Sequence, residues 1–409
     1  MSKAKTLGAS RAKTLGVLGN GQLGRMFSQA AQAMGFQVIV FDPEAQKEGA
    51  LSPAAQVSDS FINADFSDTT ALQSLANQCA AVTTEFENVS ADALAFLAKP
   101  SCTTFVAPKS DAVRIAQNRV LEKKHFEACG VPIAPYVVID SQQQLGSVPE
   151  DFYPAILKTA RMGYDGKGQV TVKSATELRA AWNGFSKVTC VLEQRVALAS
   201  ECSVLLARQI GADGKAHMIH WPVQRNVHVD GILATTEVAC HENSAQASQA
   251  MLDVALTSAA QKIATDLDYV GVLCVEFFIL EGGSWVVNEI APRPHNSGHA
   301  TMNGSSLSQF EAQVRVIAGL PLTQPRQHSS CVMLNLLGNV WFDDANGTSP
   351  REPDWARVLA LGNADVGVHL HLYGKSEPRR ARKMGHINIT AQTLEQAWQT
   401  ATSIQQLLR

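Results

Sequence analysis

The sequence predicts a mixed α/β and α+β protein that opens on a parallel sheet. Three observations carry this. The run TLGVLG, a helical stretch from Gln22 to Met34 and the run QVIVFD make a βαβ opening with a right-handed crossover. A strand ending at Lys158 and another resuming with QVTV flank a glycine loop with no helix between them. The apolar run VGVLCVEFFIL leads through Glu281-Gly282-Gly283-Ser284, a hairpin turn signal, into NEIAPRPHNSGH.

The remaining elements follow in order. Residues 1–12 read as a tail in which AKTLG, at 4–8, precedes a second copy at 12–16. Gly35 ends the first helix, and further strands and helices run to about Pro108. Ala112 to Cys129 reads as one helix, stopped by Gly130 and Pro132. An α+β stretch runs to about residue 200, hairpin-rich sequence to about 240, and a helix from about 247 to 267. Ser306 to Ala318 reads as a helix closed by Gly319 and Pro321. The last 80 or so residues hold short strands and a terminal helix from about Leu394.

Composition narrows the classes. A chain of 409 residues suggests two to four domains at ~100–200 residues each. A net charge of −3 gives no case for nucleic-acid binding. No apolar run approaches the ~18 residues of a membrane span, and the first sixteen residues lack a signal-peptide core, so a cytoplasmic protein is expected. None of the eight cysteines forms a C-x-x-C pair, which leaves zinc and redox chemistry unsupported.

The hairpin carries the sharpest chemistry. A two-residue loop at Gly282-Gly283 sets Glu276 opposite Glu289. Like charges directly opposed are destabilising. A divalent cation neutralises such a pair, and hard oxygen ligands with substrate phosphates favour Mg2+. GNGQLG, Gly19 to Gly24, fits G-x-G-x-x-G, with Asp42 at the end of the second strand. This motif suits a dinucleotide, another phosphate or a plain turn. The loop from Gly163 to Gln169, with Asp165 and Lys167, is no Walker loop, which needs GK[ST] opening a helix. A glycine hairpin lid with two lysines, Lys158 and Lys167, suits a triphosphate. The crossing Glu193-Gln194-Arg195-Val196 offers backbone groups to an adenine edge, with Glu201 and His228 following.

Together these residues resemble the ATP-grasp superfamily and, within it, the 5-(carboxyamino)imidazole ribonucleotide synthases of purine biosynthesis. The markers are LGNGQLGRM, TTEFENV, GYDGKGQ, NVHVDGIL, NEIAPRPHNSGH, SQFE, GLPL and HLYGKSEPRRARKMGHI. The resemblance implies an N-terminal doubly wound parallel-sheet domain (13–108), a two-lobed ATP-grasp domain (109–325, lobes about 109–200 and 201–325) and a small C-terminal β-rich domain (326–409). It implies ATP lined by Arg119, Lys158, the loop Gly163, Tyr164, Asp165, Gly166, Lys167, Gly168 and Gln169, the crossing from Glu193 to Val196, Glu201 and His228. Asn288 lies near Glu276 and Glu289, which would hold Mg2+. On the ribonucleotide side it implies Gly21, Gln22, Leu23, Glu85, His295, Asn296 and Ser297, with Lys375, Arg379, Arg382 and Lys383 at the 5′-phosphate. Three positions depart from the family pattern. Met162 stands for the first glycine of GGYDGKGQ, Asn118-Arg119 for Asp-Arg, and Arg379-Arg380-Ala381-Arg382-Lys383 for R-P-G-R-K.

The implied reaction is ATP-dependent carboxylation of 5-aminoimidazole ribonucleotide with bicarbonate through carboxyphosphate, in a cytoplasmic homodimer without membrane or nucleic-acid partners. Asp165, Lys375 and Arg293 are the implied catalytic groups. Other readings stay open at this stage. They are a different ATP-grasp enzyme of purine synthesis, a nicotinamide oxidoreductase on GNGQLG and Asp42, and a nucleotide-sensing module.

Overall fold

The computed structural model describes residues 14–163, 167–240, 247–344 and 349–409. The βαβ opening forms as its periodicity requires. Strand β1 (Thr14–Leu18), helix α1 (Gln22–Ala33) and strand β2 (Gln37–Phe41) bring Thr14 opposite Gln37 in parallel register. Next come β3 (Ser60–Ile62), α2 (Thr69–Gln78), β4 (Ala81–Thr84), α3 (Ala91–Leu97) and β5 (Phe105–Val106). The sheet order is β3-β2-β1-β4-β5, so the chain winds both ways from β1. Alternation along β1 and β2 feeds a cluster on each face: Leu15, Val17, Val38 and Val40 on one, Leu18, Ile39 and Phe41 on the other. The doubly wound expectation holds.

The single helix expected from Ala112 to Cys129 is two helices, α4 (Ser110–Ala116) and α5 (Arg119–Cys129). Asn118 breaks it. Its side chain accepts from the Val120 amide at 3.0 Å and from Leu121, and this cap competes with helix continuation. The break aims the first turn of α5 at the cavity described below.

A four-stranded antiparallel sheet follows, in order β8-β7-β9-β6. Its strands are β6 (Tyr136–Ile139), β7 (Ala155–Thr159), β8 (Gln169–Val172) and β9 (Cys190–Gln194). Helix α6 (Ala175–Gly184) packs Leu178 and Trp182 onto Leu157 and Leu192. The glycine loop joins β7 to β8, as expected.

The largest sheet has nine strands. β10 (Leu198–Ile210), β11 (Ala216–His220), β12 (Gln224–Val229) and β13 (Ile232–Val238) supply the hairpins. After helix α7 (Ala247–Asp266) come β14 (Gly271–Leu280) and β15 (Trp285–Ala291). Helix α8 (Gln309–Ile317) starts three residues later than expected, because the Ser308 hydroxyl caps it through the Glu311 amide. β16 (Ser330–Leu337), β17 (Gly367–Leu372) and β18 (Lys383–Ala391) extend the same sheet, giving β15-β14-β10-β12-β13-β16-β18-β17, with β11 on β10. The terminal helix α9 (Leu394–Leu407), opened by a Thr393–Gln396 capping box, buries Ala397, Ala401 and Ile404 against β16 and β18.

The Glu276/Glu289 hairpin corrects one expectation and keeps another. The turn is not two residues long. Leu280 and Ser284 close it, the Leu280 amide donating to the Ser284 carbonyl at 2.8 Å, and Gly282 and Gly283 adopt φ of +93° and +86°. That longer loop shifts the register by one, so Phe277 faces Val287. A bulge at Asn288 shifts it back, and Glu276 faces Glu289 after all.

Candidate active site

A cavity of about 1600 Å³ opens where the three sheets meet. It is lined by the glycine loop of α1, the first turn of α5, the β7–β8 hairpin, β10, β12, the β14–β15 hairpin and the turn before β18.

At its centre lies the opposed carboxylate pair. Burial and then the Glu289 charge push the Glu276 carboxyl up to about 7. His295 Nε2 stands 3.2 Å from Glu276 Oε1, and Arg119 Nη2 is 3.1 Å from Glu289 Oε2. Burial, with Arg293 and Lys383 adding to it, holds His295 well below its ordinary value, so it is neutral and supplies no balancing charge. The bulge turns Asn288 inward, where its Oδ1 is buried without a hydrogen-bond partner. Glu201 Oε2 lies 2.7 Å from His228 Nδ1. Burial lowers His228, but Glu201, Glu276 and Glu289 outweigh this and leave it raised.

A second carboxylate centre sits under the β7–β8 lid. Lys158 Nζ donates to Glu193 Oε2 at 2.9 Å, and Lys123 Nζ lies 3.4 Å from Glu193 Oε1. Burial alone would raise Glu193, yet Lys158 and Lys123 draw it down to about 2. Glu122, next to Lys123, accepts from the Ile290 amide at 2.8 Å, and burial lifts its carboxyl to about 8. Sequence reasoning missed Glu122 and Lys123. Their signal was present: Arg119, Glu122, Lys123 and the buried Phe126 are spaced as one helix face.

The glycine loop does not present a vacant anion site. Glu85 accepts from the Gly21 amide at 2.8 Å and from the Gly24 amide at 3.0 Å. A Cβ at Gly19 would come within 2.7 Å of Glu85. The helix N-terminus is capped by the chain's own carboxylate, which favours the turn reading of this motif over a phosphate or dinucleotide there. Asp42 is likewise engaged, accepting from Asn20 Nδ2 and the Glu44 amide, both at 2.7 Å. Glu87, also missed, pairs with the guanidinium of Arg293.

On the far wall, Lys375 Nζ donates to Gln22 Oε1 at 2.9 Å and to the Lys383 carbonyl at 2.7 Å. Arg379 is exposed and reaches the Glu377 carboxylate at 2.7 Å, while Arg382 donates to the Glu377 carbonyl at 2.7 Å. The missing Pro-Gly does not open this turn. The Arg382 amide donates to the Arg379 carbonyl at 3.0 Å, and Ala381 takes the left-handed φ of +61°.

The expected residues come together with named exceptions. Gly21, Gln22, Leu23 and Glu85 line the N-terminal wall. Arg119, Lys158, Gly163, Lys167 and Gln169 line the lid side, with Glu193 to Val196, Glu201 and His228. Glu276, Asn288, Glu289 and Arg293 line the floor, beside His295 and Asn296. Lys375, Arg379, Arg382 and Lys383 complete it. Ser297 does not line the cavity. It is fully buried and accepts from Ser203 Oγ at 2.8 Å, which makes it a support beneath His295. Gly168 is also off the lining, its carbonyl taken by the Thr159 amide at 2.8 Å. The Gln194 and Arg195 amides are taken by the Pro135 and Pro154 carbonyls, so neither is offered to a ligand as expected. Tyr164, Asp165 and Gly166 lie outside the described residues.

Comparison with known proteins gives the chain its family. Family models for a ribonucleotide synthetase preATP-grasp domain, an ATP-grasp domain and a phosphoribosylaminoimidazole carboxylase C-terminal domain match residues 12–117, 124–310 and 331–400. The chain is 39% identical over 379 residues to N5-carboxyaminoimidazole ribonucleotide synthase of Brucella melitensis, covering 91% of this chain and 95% of that one. The structure of N5-carboxyaminoimidazole synthetase from Staphylococcus aureus complexed with ADP superposes with a TM-score of 0.82 at 30% identity, over 99% of this chain and 98% of that chain. The Aspergillus clavatus synthase in complex with ADP and 5-aminoimidazole ribonucleotide gives 0.81 at 28% identity, over 97% and 99%. No helix among the described residues is long and apolar enough to cross a membrane. The chain belongs to the N5-carboxyaminoimidazole ribonucleotide synthase family of ATP-grasp ligases.

Proposed function

We propose that this enzyme uses ATP to join bicarbonate to the amine of 5-aminoimidazole ribonucleotide, giving 5-(carboxyamino)imidazole ribonucleotide, ADP and phosphate in purine biosynthesis. The observation that carries the reading is the opposed Glu276/Glu289 pair on the floor of a cavity with cationic walls on two sides. The ligands named for the Aspergillus clavatus structure support the choice of substrates.

The oxygen donors of Glu276 and Glu289, with the unpartnered Asn288 Oδ1 beside them, fit Mg2+. When bound there, Mg2+ supplies charge neutralisation to the triphosphate. The chain's own groups do the rest. Lys158, held by Glu193, faces the nucleotide phosphates, and the crossing from Glu193 to Val196 borders the adenine. A bicarbonate oxygen attacks the γ-phosphorus, the bond to the ADP oxygen breaks, and carboxyphosphate forms. Arg293, fixed by Glu87, steadies the transferring group. The amine then attacks the carboxyl carbon, the bond to phosphate breaks, and the amine proton passes to Asp165. Lys375, anchored by Gln22, orients the new carboxylate, and Arg379, Arg382 and Lys383 receive the 5′-phosphate, for which guanidinium forks are suited. Gly21, Leu23, His295 and Asn296 border the imidazole ring. We place the enzyme in the cytoplasm as a homodimer, for which light scattering should return twice the 43.9 kDa chain mass.

A coupled ADP assay tests the reaction. ADP release should require ATP, Mg2+, bicarbonate and 5-aminoimidazole ribonucleotide together. Equal release with glycinamide ribonucleotide, or release indifferent to any ribonucleotide, would overturn the substrate assignment. Asp165→Ala should leave ATP affinity nearly intact and remove product formation, whereas equal loss of both would mean a folding role.

A further inference from the structure

Two sequence markers far apart in the chain, APRPHNSGH and RKMGH, end in histidines that meet in space. His299 closes the 3-10 turn Asn296–Ala300, and His386 lies on β18, three residues after Lys383. Their rings stack with centroids 4.4 Å apart and planes at 19°. His386 stacks in turn on His371, its register partner on β17, at 4.5 Å and 16°. The result is a column of three parallel imidazoles, with Phe310 against its His299 end at 5.9 Å.

Each ring is tied to a different part of the wall. Tyr373 Oη lies 2.9 Å from His386 Nδ1. His371 Nε2 lies 2.9 Å from Asn303 Oδ1. Asn388 Nδ2 donates to the His299 carbonyl and to Asn303 Oδ1, both at 2.8 Å. Gln309 Nε2 lies 3.3 Å from His299 Nδ1 and donates to the His295 carbonyl at 2.7 Å, while the His295 amide donates to Gln309 Oε1 at 2.8 Å. The column therefore joins the loop carrying His295 and Asn296 to β17 and β18, with Lys375 in the turn between them and Lys383 opening β18.

Burial keeps the column uncharged, holding His299 down to about 3 and His371 to about 4. Neutral rings can stack this closely, whereas two buried imidazolium ions could not. No described residue of the column lines the cavity, so it does not touch substrate.

We propose that the His299–His386–His371 column is a positioning device that sets the spacing between the His295/Asn296 loop and the Lys375/Lys383 wall, and so the width of the ribonucleotide half of the cavity. It rests on the reading of that half as the ribonucleotide site. The nucleotide half, built on α5, β7 and β9, has no member in the column.

The test separates the two halves kinetically. His386→Ala should lower kcat/KM for 5-aminoimidazole ribonucleotide roughly 10–100-fold, because small displacements of positioning groups cost that much. The KM for ATP should stay within about twofold. His386→Phe keeps a flat ring between His299 and His371 and should recover most of the loss. Equal loss on both substrates, no loss on either, or a Phe variant no better than Ala would overturn the proposal. If His386→Ala does not fold, Tyr373→Phe removes one hydroxyl and should still give a loss of roughly 3–10-fold on the ribonucleotide alone. An unchanged or evenly reduced Tyr373→Phe enzyme would overturn it as well. A wild-type enzyme indifferent to 5-aminoimidazole ribonucleotide would instead sink the functional reading, and this proposal with it.

Discussion

The cavity holds two carboxylate centres built on opposite principles. At Glu193 the chain supplies its own counter-ions, since Lys158 and Lys123 flank one carboxylate and all three side chains are buried. At Glu276 and Glu289 the negative charge is left in excess: among the described residues, Arg119 is the cation paired with them. A carboxylate that the chain's own lysines already neutralise is part of the fold. An unbalanced one is destabilised until something positive arrives, and that marks it as the binding centre.

The largest effect should come from breaking the Glu193 centre. Glu193→Gln leaves two buried lysines facing each other, and removing one partner of a buried charge cluster costs ~3–5 kcal/mol. Urea unfolding should report this, and a loss under ~1 kcal/mol would mean that water already relieves the cluster. Glu289→Gln should do the reverse. Stability should hardly move, while turnover falls ~10²–10³-fold with a raised Mg2+ requirement. An unchanged Mg2+ requirement would move the ion elsewhere.

Acidity sharpens the same contrast. Glu276 sits at about 7 in the fold against an ordinary value of 4.5. A raised carboxyl contributes stability that is fully present below the unfolded value and is lost as pH rises through the folded one. Metal-free enzyme should therefore lose thermal stability between about pH 4.5 and about pH 7, more than Glu276→Gln does, and Mg2+ should abolish the difference. Glu193, drawn down to about 2, contributes no change in that window. A metal-free profile that coincides with that of Glu276→Gln would show the pair already neutralised from within.

Much of this was legible because it is local. Periodicity gave the βαβ opening, and the turn signal gave the hairpin that opposes Glu276 and Glu289. That pairing was right through two offsetting deviations, a loop one residue longer and a bulge at Asn288 that restores the register. Assembly was not legible. Glu122 and Lys123 share a helix face with Arg119 and Phe126, but only the packing of α5 against β15 buries them. Glu85 reached the glycine loop from 61 to 64 positions away, a contact no spacing rule encodes. The histidine column needs the register of β17 on β18 and a 3-10 turn from far upstream packed against it.

The smallest predicted effect concerns two positions where the family pattern has glycine. Met162, on the lid side, and Ala381, on the ribonucleotide side, both adopt positive φ, +63° and +61°. An L-residue in that region costs ~1–2 kcal/mol, and glycine gives back ~0.5–1 kcal/mol of this through its larger unfolded entropy. The two differ in what holds them. Ala381 donates its amide to Asn339 Oδ1 at 2.9 Å inside a closed turn, whereas Met162 is 71% exposed. Strain at a pinned position must be borne by the fold, while strain at an open one can relax. Ala381→Gly should therefore stabilise the protein by up to ~1 kcal/mol in urea unfolding, and Met162→Gly by less. The ribonucleotide KM of Ala381→Gly should not change, because the turn that presents Arg379 and Arg382 is already closed. A shifted KM would mean that the left-handed residue sets the reach of those guanidiniums.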